Sequence, residues 1–194
     1  EIIKCAVIAD PALFEYLSHH ASQILRREEG PLLHLYRRTS EIKLDHVRKD
    51  LREQNRRLRL NYGHTLGHAI ELATAGRLET YRHGEGVALG MMGASFIARQ
   101  LWGGDGKLLR QHRQILSRFG LPVSIDLKKL GTSRDELVPA CLTHVRKDKK
   151  RQAMHVRFIL PTAIGQTVVV DQVPPALVKA AVEMLCDGAG SDKR

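Results

Sequence analysis

Apolar positions recur at helical spacing along most of this chain, broken by a few clear stops. Asp10-Pro11 reads as a helix start, with the carboxylate as N-cap and proline at the first helical position. Gly30-Pro31 reads as a stop, which brackets a helix over roughly residues 11 to 28. Ser40 can cap the next element, and the spacing of Leu44, Val47, Leu51 and Leu58 predicts an exposed amphipathic helix from 41 to about 54. Two further helices follow, from His64 to Thr74 and from Gly84 to Leu101, and the second is rich in Gly, Ala and Met, which predicts close helix packing. Gly103-Gly104-Asp105-Gly106 marks a turn, and Lys107 to Arg118 another helix ended by Gly120 and Pro122. Ser133-Arg134-Asp135-Glu136 has the pattern of a capping box opening a helix to about Val145.

The period changes only once. His155 to Leu160 and Thr167 to Val170 read as two strands of a hairpin, joined through Pro161-Thr162-Ala163-Ile164-Gly165 by a loop of five residues or slightly more. Pro174-Pro175 opens a last helix, and residues 188–194 read as a flexible tail. The expected fold is mainly α, multi-helix, with a small β hairpin, and residues 1–187 form one domain.

Composition narrows the setting. A chain of 194 residues, 43% hydrophobic, can bury a sizeable core without disulfides, and its three cysteines are far apart with no CxxC pair. No stretch approaches the roughly 18 apolar residues of a membrane span, so no membrane role and a reduced, cytoplasmic setting are expected. The chain opens at Glu1 inside an apolar element, Glu-Ile-Ile-Lys-Cys-Ala-Val-Ile, and reads as a fragment. Net charge is +10, yet the basic residues are interleaved with acids and aromatics are only 5%, which disfavours a nucleic-acid partner. A solvated basic surface with a few anion-binding residues accounts for the charge.

The densest chemistry lies in Asn61-Tyr62-Gly63-His64-Thr65-Leu66-Gly67-His68-Ala69-Ile70-Glu71 and His83-Gly84-Glu85-Gly86-Val87-Ala88. His64 and His68 are four apart and share a helix face, a spacing used by zinc sites but also common among structural histidines. His83 is a third imidazole, and Glu71, Glu85 and Glu1 are candidate carboxylates. Glu71 reads more readily as a supporting or capping group, and Glu85 points away from His83 on a helix. Lys4, three after Glu1, reads as its ion-pair partner on one helix face, while Lys149 and Lys150 can hold a phosphate or lie in a solvated basic loop. His19, His20, His34, His46, His112, His144 and His155 have no supporting constellation.

These motifs, with Leu89-Gly90-Met91 after Ala88, resemble the metal-site signature of the 3-dehydroquinate synthase family, the sugar phosphate cyclases. Glu1-Ile2-Ile3-Lys4, the Lys43 to Asn61 segment, and Asp148-Lys149-Lys150 before Leu160-Pro161 and Ile164-Gly165 extend the resemblance over nearly the whole chain. It implies the helical C-terminal domain of an enzyme whose N-terminal NAD-binding domain is not in this chain. It further implies Zn2+ or Co2+ on Glu1, His64 and His83. Lys4, Lys43, Asn61 and His68 are implied as catalytic residues, and Glu53, Arg57, Lys149 and Lys150 as substrate-binding residues, one of the last two for phosphate. The implied activity is a carbon–oxygen lyase of the shikimate pathway to aromatic amino acids. It eliminates phosphate from 3-deoxy-arabino-heptulosonate 7-phosphate and closes the ring to 3-dehydroquinate, in a homodimer of the complete enzyme. Cyclases of the 2-deoxy-scyllo-inosose or valiolone type, or a non-catalytic relative, are the alternatives; Arg57 favours a substrate carrying a carboxylate. The fragment alone is expected to be inactive.

Overall fold

A computed structural model describes residues 1–51, 56–77, 80–151 and 156–188, with the side chains of 148–151 outside the description. The described chain is mainly helical: α1 (Ile2–Ala9), α2 (Pro11–Leu25), α3 (Glu29–Lys49), a 3-10 turn (Arg57–Asn61), α4 (His64–Thr74), α5 (His83–Trp102), α6 (Lys107–Arg118), α7 (Arg134–Arg151) and α8 (Pro175–Cys186). Strands β1 (Phe158–Ala163) and β2 (Gln166–Val170) pair antiparallel between α7 and α8.

Helix α5 is the axis of the domain. Every residue from Gly86 to Ser95 is buried, and α4, α6, α8 and β1 pack around it. A helix so enclosed needs apolar or small residues on all sides, which its Gly, Ala and Met content supplies. The contact with α4 is the closest. A Cβ on Gly90 would lie 1.8 Å from the Gly63 carbonyl oxygen, and one on Gly67 would lie 2.8 Å from that of Gly86. Backbone therefore meets backbone along this seam, and no larger residue fits at these positions. On its other flank, α6 offers His112, Ile115 and Leu116 to the core.

Several boundaries differ from the sequence expectation. Gly30-Pro31 does not stop a helix but lies in the first turn of α3, where proline's missing N–H costs nothing. The break comes earlier, at Arg27, which adopts φ 61°, a conformation that no glycine or asparagine announces. Ser40 consequently lies inside α3. Helix α7 runs on past Val145 to Arg151, so the basic segment belongs to its last turns and not to a loop. The hairpin turn is only Ile164-Gly165, with Pro161 inside β1 opposite Thr167 and an irregularity before Ala163. Gly165 has φ +85° and donates its N–H to Val7 O at 2.8 Å, which docks the hairpin on α1.

Candidate metal and substrate site

The seam between α4 and α5 sets the histidines. Gly63, at φ 79°, turns the chain out of the 3-10 turn into α4, which begins at His64. His68 follows one turn later, and His83 begins α5. Because the two helices touch through glycines, the three rings meet: one ring nitrogen from each lies within 4.8 Å of the others. Their centroids are 5.2 Å (His64–His68), 5.2 Å (His64–His83) and 5.6 Å (His68–His83) apart.

Helix α1 brings the carboxylate. Glu1 Oε1 lies 3.8 Å from His64 Nε2 and 2.9 Å from Lys4 Nζ, and Lys43 of α3 reaches Glu1 Oε2 at 3.5 Å. Burial pushes the Glu1 carboxyl up, but its hydrogen bond to Lys4 and the nearby positive charge outweigh that and bring it down to about 2. Burial, aided by the charge of Lys4, pushes His64 down to about 4. The site therefore holds a carboxylate beside a neutral imidazole at neutral pH, the forms that bind a divalent metal. Tetrahedral zinc sets its ligand atoms roughly 3.3 Å apart; the Glu1–His64 pair stands at 3.8 Å and the three imidazoles lie within 4.8 Å of one another, both wider than that.

Partners of the second ring nitrogen separate the histidines. His64 Nδ1 lies 3.1 Å from Tyr62 O, and a carbonyl only accepts, so Nδ1 carries the proton and Nε2 offers its lone pair toward Glu1. His83 Nδ1 faces Glu71 Oε1 at 3.2 Å with the same consequence. Ligating histidines generally have such a partner. His68 has none among the described residues, and its exposed ring borders a cavity of about 550 Å³ between α4 and α7. His144 and Lys147 of α7 also line that cavity, two residues that the motif reading passed over because their link to His68 is purely tertiary. Glu85, the remaining candidate carboxylate, accepts from Arg82 N at 2.8 Å and caps α5 instead.

Beneath the site lies a buried polar network. Tyr62 is fully buried, and its hydroxyl lies 2.8 Å from His112 Nε2 and 3.1 Å from Ser95 Oγ. His112 Nδ1 meets Leu108 O at 2.8 Å, so it carries that proton; Nε2 accepts from Tyr62, whose oxygen then accepts from Ser95. Burial pushes His112 down to about 4. His112 had no sequence signal, since its partners lie on α5 and before α4.

The other expected residues are partly placed. Arg57 starts the 3-10 turn, its backbone N–H donating to Asp50 Oδ2 at 3.0 Å, and Asn61 ends the turn, exposed and three residues before His64. Lys149 and Lys150 lie in the last turn of α7, with side chains outside the described residues, and Glu53 lies outside them altogether. Cys5, Cys141 and Cys186 are buried and free, and burial pushes the latter two thiols up to about 12 and 11, which leaves them inert. Among the described residues no helix is long and apolar enough to cross a membrane.

Comparison with known proteins identifies the family of the chain. The family model for the 3-dehydroquinate synthase C-terminal domain matches residues 1–151. The chain is 39% identical over 186 residues to the 3-dehydroquinate synthase of Acaryochloris marina (strain MBIC 11017), covering 94% of this chain and 47% of that protein. It is 36% identical over 183 residues to that of Arthrobacter sp. (strain FB24), covering 94% and 47%. It thus spans about half the length of the curated relatives it matches. In fold it is similar to 2-epi-5-epi-valiolone synthase from Streptomyces hygroscopicus subsp. jinggangensis 5008, solved with NAD+ and Zn2+ (TM-score 0.78, 24% identity, 95% of this chain and 49% of that one). It is also similar to 2-deoxy-scyllo-inosose synthase complexed with carbaglucose-6-phosphate, NAD+ and Co2+ (TM-score 0.62, 26% identity, 79% and 41%). On the family match and these identities, the chain belongs to the 3-dehydroquinate synthase C-terminal family.

Proposed function

We propose that this chain is the metal- and substrate-binding part of a sugar phosphate cyclase that makes 3-dehydroquinate from 3-deoxy-arabino-heptulosonate 7-phosphate. The observation that carries the reading is that Glu1, held by Lys4 and Lys43, reaches His64, which itself clusters with His68 and His83, from four separate parts of the chain. Glu1, His64 and His83 would hold the divalent metal, with Tyr62 O and Glu71 fixing the two rings. When bound, the metal polarises a substrate hydroxyl and the nicotinamide of an NAD held by the other part of the parent protein takes up and returns a hydride.

The chain's own residues bind and orient. Lys4, buried and paired with Glu1, is held rigidly and presents its remaining N–H donors to a substrate hydroxyl. Lys43, 3.5 Å from Glu1 Oε2, can do the same. His68, with an uncommitted ring beside the cavity, would exchange a proton with a phosphate or hydroxyl, and Asn61 would donate to the substrate. Lys149 or Lys150 at the end of α7 supplies a point charge for phosphate, and the Arg57 guanidinium pairs with the substrate carboxylate. Such a site works by positioning and polarisation, without a dedicated acid–base dyad.

The test uses the complete parent protein, supplied with NAD and Zn2+ and offered the seven-carbon keto acid phosphate, glucose 6-phosphate and sedoheptulose 7-phosphate in parallel. Phosphate release only from the keto acid is expected; release from a neutral sugar phosphate moves the chain to another cyclase, and none from any leaves a non-catalytic relative. Arg57→Ala should lower kcat/KM for the keto acid by at least about 30-fold, roughly 2 kcal/mol of a lost charged hydrogen bond. An unchanged kcat/KM would detach Arg57 from the carboxylate.

A further inference from the structure

We propose that Glu71, seated in a slot that Gly86 keeps open, is the positioning residue that holds His83 for metal ligation. This rests on the reading of His83 as a ligand. Glu71 Oε1 lies 3.2 Å from His83 Nδ1, and an ionised carboxylate only accepts, so the contact fixes the tautomer that frees Nε2. Gly86 independently marks the same spot. A Cβ there would lie 2.5 Å from Glu71 Oε1, 2.7 Å from its Cγ and 3.0 Å from its Cδ, and these are its three nearest atoms. The missing methyl group is therefore space used by this carboxylate and by nothing closer.

Two further features keep the carboxylate in place. Its side chain is 23% exposed against 50% for His83, so the acceptor is sheltered while the ring faces the open site. It also sits at the first turn of α5, where unpaired backbone N–H groups favour negative charge. Glu85 does not compete for the ring, because it is committed to Arg82 N. The geometry thus separates two nearby glutamates into a helix cap and a histidine holder.

The experiment measures Zn2+ affinity of the complete, substrate-free protein by competition with a chromophoric chelator, with the Co2+ absorption spectrum as second readout. Far-ultraviolet circular dichroism checks folding. Glu71→Gln keeps the shape and an acceptor but loses the charge, and should weaken Zn2+ about 10-fold; Glu71→Ala should approach about 100-fold. Gly86→Ala should fall in the same range by displacing the carboxylate. Combined with Glu71→Ala it should add nothing, since the methyl then enters space already vacated. Affinity within about twofold of wild type in folded Glu71→Gln and Glu71→Ala, with unchanged Co2+ bands, overturns the proposal. The underlying reading fails differently: if His83→Ala leaves Zn2+ affinity unchanged, His83 is not a ligand and the assignment falls with it.

Discussion

The α4–α5 seam and the α2–α3 pair are both helix–helix contacts, yet they tolerate change in opposite ways. In the seam, glycine carbonyls and amides of one helix touch the other directly, and the site histidines hang from that contact. In the pair, long side chains intervene, Arg38 of α3 reaching Asp10 at the N-cap of α2, and much of α3 stays exposed, with Leu33, Tyr36 and Leu44 on its surface. Metal ligands a few tenths of an ångström out of place lose their ligand geometry, so precision is concentrated where backbones meet. A surface pair can shift by as much without consequence.

The sharpest break of that contrast is a methyl group on either side. Gly90→Ala puts a Cβ 1.8 Å from Gly63 O and 2.8 Å from Gly67 N, both backbone atoms that no rotamer change can move. The loss in unfolding free energy should exceed about 3 kcal/mol, above the usual range for overpacking, with Zn2+ binding lost as well. Gly30→Ala in α3 meets nothing within 4 Å and should stabilise by about 0.5 kcal/mol, since it removes freedom from the unfolded chain. Denaturant titration of both variants checks the pair; equal and small effects would mean that the seam is not rigid.

A second difference is chemical. Below the seam, His112 is buried with both ring nitrogens engaged, and its pKa falls from 6.5 to about 4. The unfolded chain then binds more protons than the folded one between those values, so stability is fully present above about pH 6.5 and is lost as pH falls toward 4. The contribution is on the order of 3 kcal/mol. Burial pushes His64 down too, in the same direction, so His112→Gln should flatten the stability–pH curve in this window without abolishing its slope. Unfolding midpoints measured every half unit of pH would check it. An unaltered slope would show that His112 does not titrate with unfolding.

How far each region could be read from sequence follows from the same contrast. Helices α4, α5 and α6 were legible because their signals are local: His64 to Thr74 and Lys107 to Arg118 keep one period, and glycine punctuates their ends. Close packing of α5 followed from its small residues. The grouping of His64 with His83 was carried by resemblance, since the eighteen intervening residues hide it, and spacing alone pointed to His64 and His68. The structure brings all three together with Glu1 close to His64. Glu71 read as a supporting or capping group, but its partner His83 was not legible, nor were the places of His112 and His144, because each depends on which side chain arrives from another helix. The hairpin loop was overestimated because Pro161 reads as a turn residue, although at the edge of a two-stranded sheet it can stay in the strand.

The smallest effect tests the α2–α3 junction. Arg27 holds φ 61°, where a Cβ crowds the backbone at a cost of roughly 1 kcal/mol. Its partners on either side are backbone groups: Arg27 N donates to Ile24 O at 2.9 Å and Glu28 N to Gln23 O at 3.1 Å, the pattern by which a left-handed residue closes a helix. The guanidinium takes no part in those bonds, so Arg27→Gly keeps them while relieving the crowding. Greater freedom of glycine in the unfolded chain offsets part of the gain, which leaves a net stabilisation of about 0.5 kcal/mol. Arg27→Ala keeps the Cβ and should gain nothing, so a difference between the two variants isolates the backbone term. If glycine and alanine behave alike, the break between α2 and α3 is set by the side chains that pack around it and not by the conformation of Arg27.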